Sequence, residues 1–463
     1  MNRTPKVLLV FALVVCLFII AGAVGIALSI AQRPSAPKAE VITRNTLQEA
    51  ERAHSAHRQS VETARAELSP KLGIPEDWSF DAAFEEWSKG RYEVLGDFMT
   101  RYLAESGTAS ASAVADLARA IESRNEIDAF TAQFHPGQHG TDGVLRNLEE
   151  FLRTSEDLKW AAVAMRNRLY FHEYELDASY YDDQFVLGTG RQNLTRALAT
   201  RAVFEARAGE CQQALDTFAA LAEFALQVGE EPYLANISVR CTIEEIADYA
   251  LWIIFDSCEL DEAALAPVRS LIERRKDASV LYARIREDAA LYDVREYFWD
   301  DVDDSLDPVS RWMLSLARPN FSQGITAAAD RLISLLERPY HEMRDAIENV
   351  YDDPNYGHGV SFFLESANDT VRDHLRSALT AEALRVAIAL KRHKAANGTY
   401  PDSLDALIPA ALDAVPLDMA TGEPVKYVVL DEGFLLLPPL DPEHYYEGGV
   451  YTELHTVLWR AMR

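Results

Sequence analysis

Cysteine is scarce: four residues in a chain of 463 cannot build the dense disulfide framework of a small secreted scaffold. Basic residues are outnumbered, with 45 Lys and Arg against 73 Asp and Glu and a formal net charge of −28. A surface of that sign repels phosphate backbones, so nucleic acid is not an expected partner. The motifs that carry common chemistries are missing as well. There is no H-E-x-x-H, no phosphate-binding P-loop, no G-x-S-x-G, no G-x-G-x-x-G and no paired C-x-x-C, which removes the usual signatures of zinc proteolysis, nucleotide binding and serine hydrolysis. Strand-like alternation is nearly absent before residue 420, which speaks against a β-sandwich or barrel. What remains is ordinary for a globular chain, 48% hydrophobic and 25% charged, and the length allows more than one domain.

Residues 7–32 contain no charge and are apolar almost throughout. A hydrocarbon core of ~30 Å needs ~20 helical residues, whereas the apolar part of a cleaved signal is ~7–15 residues. An uncleaved anchor is therefore the favoured reading, with cleavage after Ser29-Ile30-Ala31 as the alternative. Arg3 and Lys6 precede the run and Arg33 and Lys38 follow it, so flanking charge does not orient it. The large domain behind the run fits a signal anchor whose bulk is exported. Cys16 lies inside the run and reads as a packed or lipid-facing thiol. Residues 33–43 open with RPSAPK, the composition of a short semi-rigid linker.

From residue 44 onward the period is helical. Helices are expected over 46–69, 111–130, 242–255, 262–275, 280–298, 325–336 and 360–396. The stretch from Leu194 places Ala197, Leu198, Ala202 and Phe204 before Gly209, and Ala214, Leu215, Phe218, Leu221 and Ala222 after it. That is a helix, a Gly-containing turn and a second helix. The spacing Ala202, Gly209, Ala214, Phe218 resembles one tetratricopeptide repeat, but no second copy follows at ~34 residues, so only helical hairpins are taken from it. Cys211, Cys241 and Cys258 lie in this region, and in an oxidising compartment two of them can pair; the connectivity stays open, as does the possibility of free buried thiols.

After residue 396 the pattern changes. Asn397-Gly398 suits a left-handed helix end, then Tyr400-Pro401 starts a new element, and Leu404, Leu407 and Ile408 mark a short amphipathic helix. Pro416-Leu417-Asp418 and the turn around Gly422-Glu423-Pro424 lead to β-rich runs over 425–430 and 434–437, a hairpin around Asp431-Glu432-Gly433. This segment, 384–437, resembles the globular part of the major pseudopilins of type II secretion, on Asn397, Gly398, Tyr400, Pro401, Leu404, Leu407, Pro416, Asp418, Gly422, Pro424 and Tyr427. The resemblance implies a small α+β module of bacterial origin. The family's peptidase site beside the apolar helix is missing here, and more than 340 residues separate that helix from the module, so assembly into a pseudopilus is not implied.

Three further clusters invite chemistry. Asp301, Asp303, Ser305 and Asp307 alternate like the first half of a calcium loop, yet Leu306 stands where Gly is needed and Trp312 where the closing Glu belongs, so a solvated acidic loop is the favoured reading and calcium the alternative. His135 and His139 are separated by Pro136 and Gly137, which precludes a helical metal pair. Tyr180-Tyr181-Asp182-Asp183, Trp299-Asp300-Asp301 and Tyr351-Asp352-Asp353 hold the residue types of a glycan hydrolase, which needs two carboxylates ~5–10 Å apart. N-x-S/T triplets occur at Asn193, Asn236, Asn320, Asn368 and Asn397.

Together these readings predict a mainly α protein. Residues 1–32 form a transmembrane anchor, 33–43 a linker, 44–378 a helical hairpin, solenoid-like or bundle domain, and 379–463 a small α+β module. No cofactor is expected. The expected role is a single-pass, inner-membrane protein with its bulk exported, acting as an envelope scaffold through protein partners. A membrane-tethered glycan hydrolase is the alternative, to be recognised by carboxylates converging in a cleft beside Trp or Tyr.

Overall fold

The computed structural model describes residues 39–88, 141–172, 180–231, 233–294, 325–339, 358–417, 422–430, 433–437 and 459–461, with single positions at 96, 99, 103, 342 and 346. Within them the chain is mainly helical, as its 3.6-residue periodicity predicts. Helix α1 (Ala39–Leu72) and α2 (Phe80–Ser88) precede α3 (Thr141–Thr154) and α4 (Glu156–Arg166). The central elements are α5 (Tyr180–Arg207), α6 (Cys211–Glu230), α7 (Ala235–Ser257) and α8 (Glu262–Arg275). They are followed by α9 (Ser279–Val294), α10 (residues 325–336) and α11 (His358–Asn397). The expected helix over 111–130 and residues 7–32 lie outside the described residues.

Helix bounds follow local chemistry. Asp261 ends the α7–α8 connection by accepting a hydrogen bond from the Ala264 amide at 2.9 Å, and Ser155 caps α4 through the Leu158 amide; each satisfies an amide that has no intrahelical acceptor. Gly209, at φ +80°, closes α5 and starts α6, a backbone conformation that L side chains adopt at a cost of ~1–2 kcal/mol. Gly398, also at φ +80°, ends α11, and its amide bonds the Lys394 carbonyl at 2.7 Å.

Helices α6 and α7, and α5 from Gly190 onward, are buried over most of their circumference and form the centre, with neighbours on several sides. Helix α6 packs on α5 and α7, with α4 and α8 flanking it. The residues of the tetratricopeptide-like spacing, Ala202, Ala214 and Phe218, are buried where α5 meets α6. Close approach is engineered at Gly190 of α5: a Cβ there would sit 2.2 Å from the Phe84 carbonyl oxygen of α2. The Asn193 amide then donates to the Trp87 carbonyl at the end of α2.

Two apolar clusters result. The larger unites α2 to α8 with the second half of α11, from Leu379 to Leu390. The smaller joins the start of α7 (Ile237, Cys241) to α9, α10 and the first half of α11, from Phe363 to Val371. Helix α11, 40 residues long, thus runs through both.

The C-terminal segment adds a 3-10 turn, Leu404–Leu407, and a three-stranded sheet of β1 (Lys426–Leu430), β2 (Gly433–Leu437) and β3 (Trp459–Ala461) in the order β1-β2-β3. Both pairings are antiparallel, with Leu430 opposite Gly433 and Leu436 opposite Trp459. The short helix expected here is a 3-10 turn, and β3 is a strand that apolar alternation does not announce. Phe434 and Leu436 on one face of β2 are fully buried and join Leu404, Leu407, Leu412 and Val425 in the larger cluster. Helical body and C-terminal sheet therefore share one core, and residues 43–463 form one unit.

Candidate functional site

The three cysteines are resolved by hairpin geometry. Cys211 opens α6 and Cys258 follows α7, which brings their Cα atoms to 5.8 Å, and they form a disulfide. Cys241 is a free, buried thiol, and burial pushes it well above the usual thiol range.

Where the two apolar clusters meet, the chain buries charge. Arg240, Glu244 and Asp248 occupy successive turns of α7 and face Arg275 at the end of α8 and His374 and Ser377 of α11. Arg240 Nε donates to Glu244 at 2.9 Å, and its Nη2 donates to the Arg275 carbonyl at 2.9 Å. Arg275 grips Asp248 with both terminal nitrogens, at 2.7 and 2.9 Å, and donates to the Ser377 hydroxyl, which in turn donates to Glu244. The two cations and two carboxylates balance, which is the condition for keeping ions out of water. Burial raises Asp248 to about 6 despite Arg275, whereas Arg275, Arg240 and Ser377 outweigh the same burial at Glu244 and hold it below the ordinary glutamate value. Burial, with Arg240 nearby, lowers His374 to about 4, so its ring is neutral at pH 7.

A third buried cation, Arg191 of α5, bonds Tyr170, Asn236 and Glu231 and lies over the Phe84 and Tyr170 rings. Asn193 and Asn236 are 1% and 0% exposed, so these glycosylation triplets are closed to any modifying enzyme. No sequence motif flags Arg191, and Arg240, Glu244 and Asp248 recur every four residues along one face of α7, a spacing that a solvated face also shows.

Several residues of the segment after α11 contact one another. Asn397 bonds the His393 carbonyl, and Tyr400 packs edge-on against Phe434 with Lys394 over its ring. The Tyr427 hydroxyl donates to the Pro401 carbonyl at 2.9 Å. Pro416 accepts the Val425 amide, Leu417 bridges to Pro424, and Gly422 takes φ +72°. Asp418 lies outside the described residues, as do Asp301, Asp303, Ser305 and Asp307 and the acidic-aromatic turns at 299–301 and 351–353. Residues 180–183 are the first turn of α5.

One cavity joins these parts. A groove of about 430 Å³ is floored by Leu281 and Tyr282 of α9, Leu336 at the end of α10, and Val371, Leu375 and Ala378 of α11. Residues 413–417, leading into the sheet, form its far wall, and Leu417 is 51% exposed there. Its carboxylate on α11, Glu382, is tied to Lys276 at 2.7 Å and to Arg385 at 2.8 Å. The lining is mostly apolar, with Lys276, Arg338, Glu382, Arg385, Asp413 and the His374 ring, neutral at pH 7, also among its residues, and it suits an apolar ligand or apolar side chains. Among the described residues no cluster of His, Cys, Asp and Glu is arranged to hold a metal, and no helix is long and apolar enough to cross a membrane. No protein family, curated protein or solved structure matches this chain.

Proposed function

We propose that this chain is an envelope-associated interaction protein, anchored by residues 7–32 with its helical body exported, and that the groove between α9, α11 and residues 413–417 receives an apolar segment of a protein partner. The groove carries this reading: it is mostly apolar, open, and built from both the helical body and the pseudopilin-like segment. Glu244 and Asp248 are committed to arginines, which supports binding over use of these two carboxyls as a general acid or base. The Cys211–Cys258 bridge fits an oxidising compartment. The anchor itself rests on the uncharged run, and the bacterial envelope on the pseudopilin resemblance.

The test is cross-linking of the tagged full chain in native membranes, followed by purification and identification of what is bound. Near-stoichiometric recovery of envelope components, lost on Ala378→Trp, which fills the groove, is the expected result. Recovery of the chain without any other protein, in wild type and variant alike, contradicts the proposal.

A further inference from the structure

Among the described residues strand β1 is an edge of the sheet, paired on one side with β2. Leu430 and Gly433 close the hairpin, and hydrogen-bonding direction alternates along an antiparallel strand. Leu430, Val428 and Lys426 therefore turn their amides and carbonyls to β2, while Tyr427 and Val429 turn theirs outward. The Val425 amide shares the outward direction and bonds the Pro416 carbonyl at 3.0 Å. That bond and the Leu417–Pro424 bridge block the edge at its start. The remaining edge, the five residues of β1, has no described backbone partner for Tyr427 or Val429.

The side chains point the same way. Among the described residues the exposed large hydrophobics are Leu72, Leu417, Val428 and Val429, the two valines at 40% and 42% exposure. An apolar edge with outward amides is a template for another strand.

We infer that this edge pairs with the same edge of a second copy of the chain, antiparallel about a two-fold axis at Val428. The register is self-selecting. Centred on Val428, Tyr427 of each copy faces Val429 of the other, and all the outward amides and carbonyls of both residues find partners. Centring on Tyr427 sets Val429 against Val425, whose amide is already committed to Pro416. Centring on Val429 sets Tyr427 against the turn. The dyad register also lays the Lys426 stem across Leu430 and leaves its ammonium in solvent, and a shared anchoring surface raises the effective concentration of the copies. The inference does not depend on the groove or its occupant.

At the dyad, Val428 meets itself as a non-hydrogen-bonded pair with Cα atoms about 4.5 Å apart, inside the range a disulfide spans. The experiment is mild oxidation of the full chain carrying Val428→Cys in native membranes, in a Cys16→Ser background, with Val429→Cys as the geometric control. The expected result is a reducible species at twice the 51.8 kDa of the chain for Val428→Cys and much less for Val429→Cys. Adding Val429→Pro, which removes an outward amide and leaves the β2 ladder intact, abolishes it. Independently of the cysteines, light scattering of the unmodified full chain in detergent should give a dimer that Val429→Pro converts to a monomer. A monomeric wild type, equal cross-linking at both positions, or an adduct of another mass overturns the inference.

Discussion

At the scale of single residues, the buried ions define how the protein answers to mutation and pH. Arg275→Leu leaves Asp248 and Glu244 in the interior without their bidentate and bridging partner. Removing one member of such a set costs about 3–5 kcal/mol. Urea unfolding followed by tryptophan fluorescence should show this loss, and the double variant Arg275→Leu/Asp248→Leu should recover part of it. A loss below about 1 kcal/mol would mean that the network is solvated. His374 has the opposite sensitivity. Its folded pKa, about 4, lies below the ordinary 6.5, so between those values the unfolded chain binds a proton that the folded chain refuses. Stability from this group is therefore full above pH 6.5 and falls as pH drops toward 4, by up to about 3 kcal/mol. Asp248, raised to about 6, acts in the reverse sense over much of the same window. The difference between wild type and His374→Gln isolates the histidine: the variant should lose less stability than wild type between pH 6.5 and 4, and parallel curves would refute the assignment. The arginines were hard to read from sequence, because charges four apart on a helix look like a solvated face until the burial of the intervening Ile243, Ile246 and Ala247 is known.

At the scale of elements, periodicity and caps were legible. The helix expected over 262–275 is α8, bounded by the Asp261 cap, and the expected 325–336 and 360–396 helices correspond to α10 and α11. The hairpin of β1 and β2 was visible in its β-rich runs, whereas β3, three residues long, is too short to show alternation. The disulfide partner was not legible, since spacing alone does not say which two of the three cysteines come side by side. Packing between elements gives a prediction of its own. Gly190→Ala puts a Cβ against the Phe84 backbone, so α2 must lift from α5, at a cost of about 1–3 kcal/mol for overpacking. The melting temperature should fall accordingly, and an unchanged value would show that α2 is not held where the Gly190 contact places it.

At the scale of the molecule, the C-terminal segment is continuous with the helical core, through Phe434, Leu436 and Leu404, and the groove exists because the two meet. The disulfide braces the same body by closing a loop with a sequence separation of 47, worth about 4 kcal/mol on the chain-entropy account. Such a bridge persists only where the surroundings do not reduce it. If this body works outside the cytoplasm, as proposed, Cys211 and Cys258 stay joined in intact cells, and their redox state there is the decisive measurement. Thiols are trapped with one alkylating reagent before lysis, the sample is reduced, and newly exposed thiols are labelled with a second reagent of different mass. Both Cys211 and Cys258 should carry the second label; both carrying the first, as free thiols in the living cell, would place the body in a reducing compartment instead.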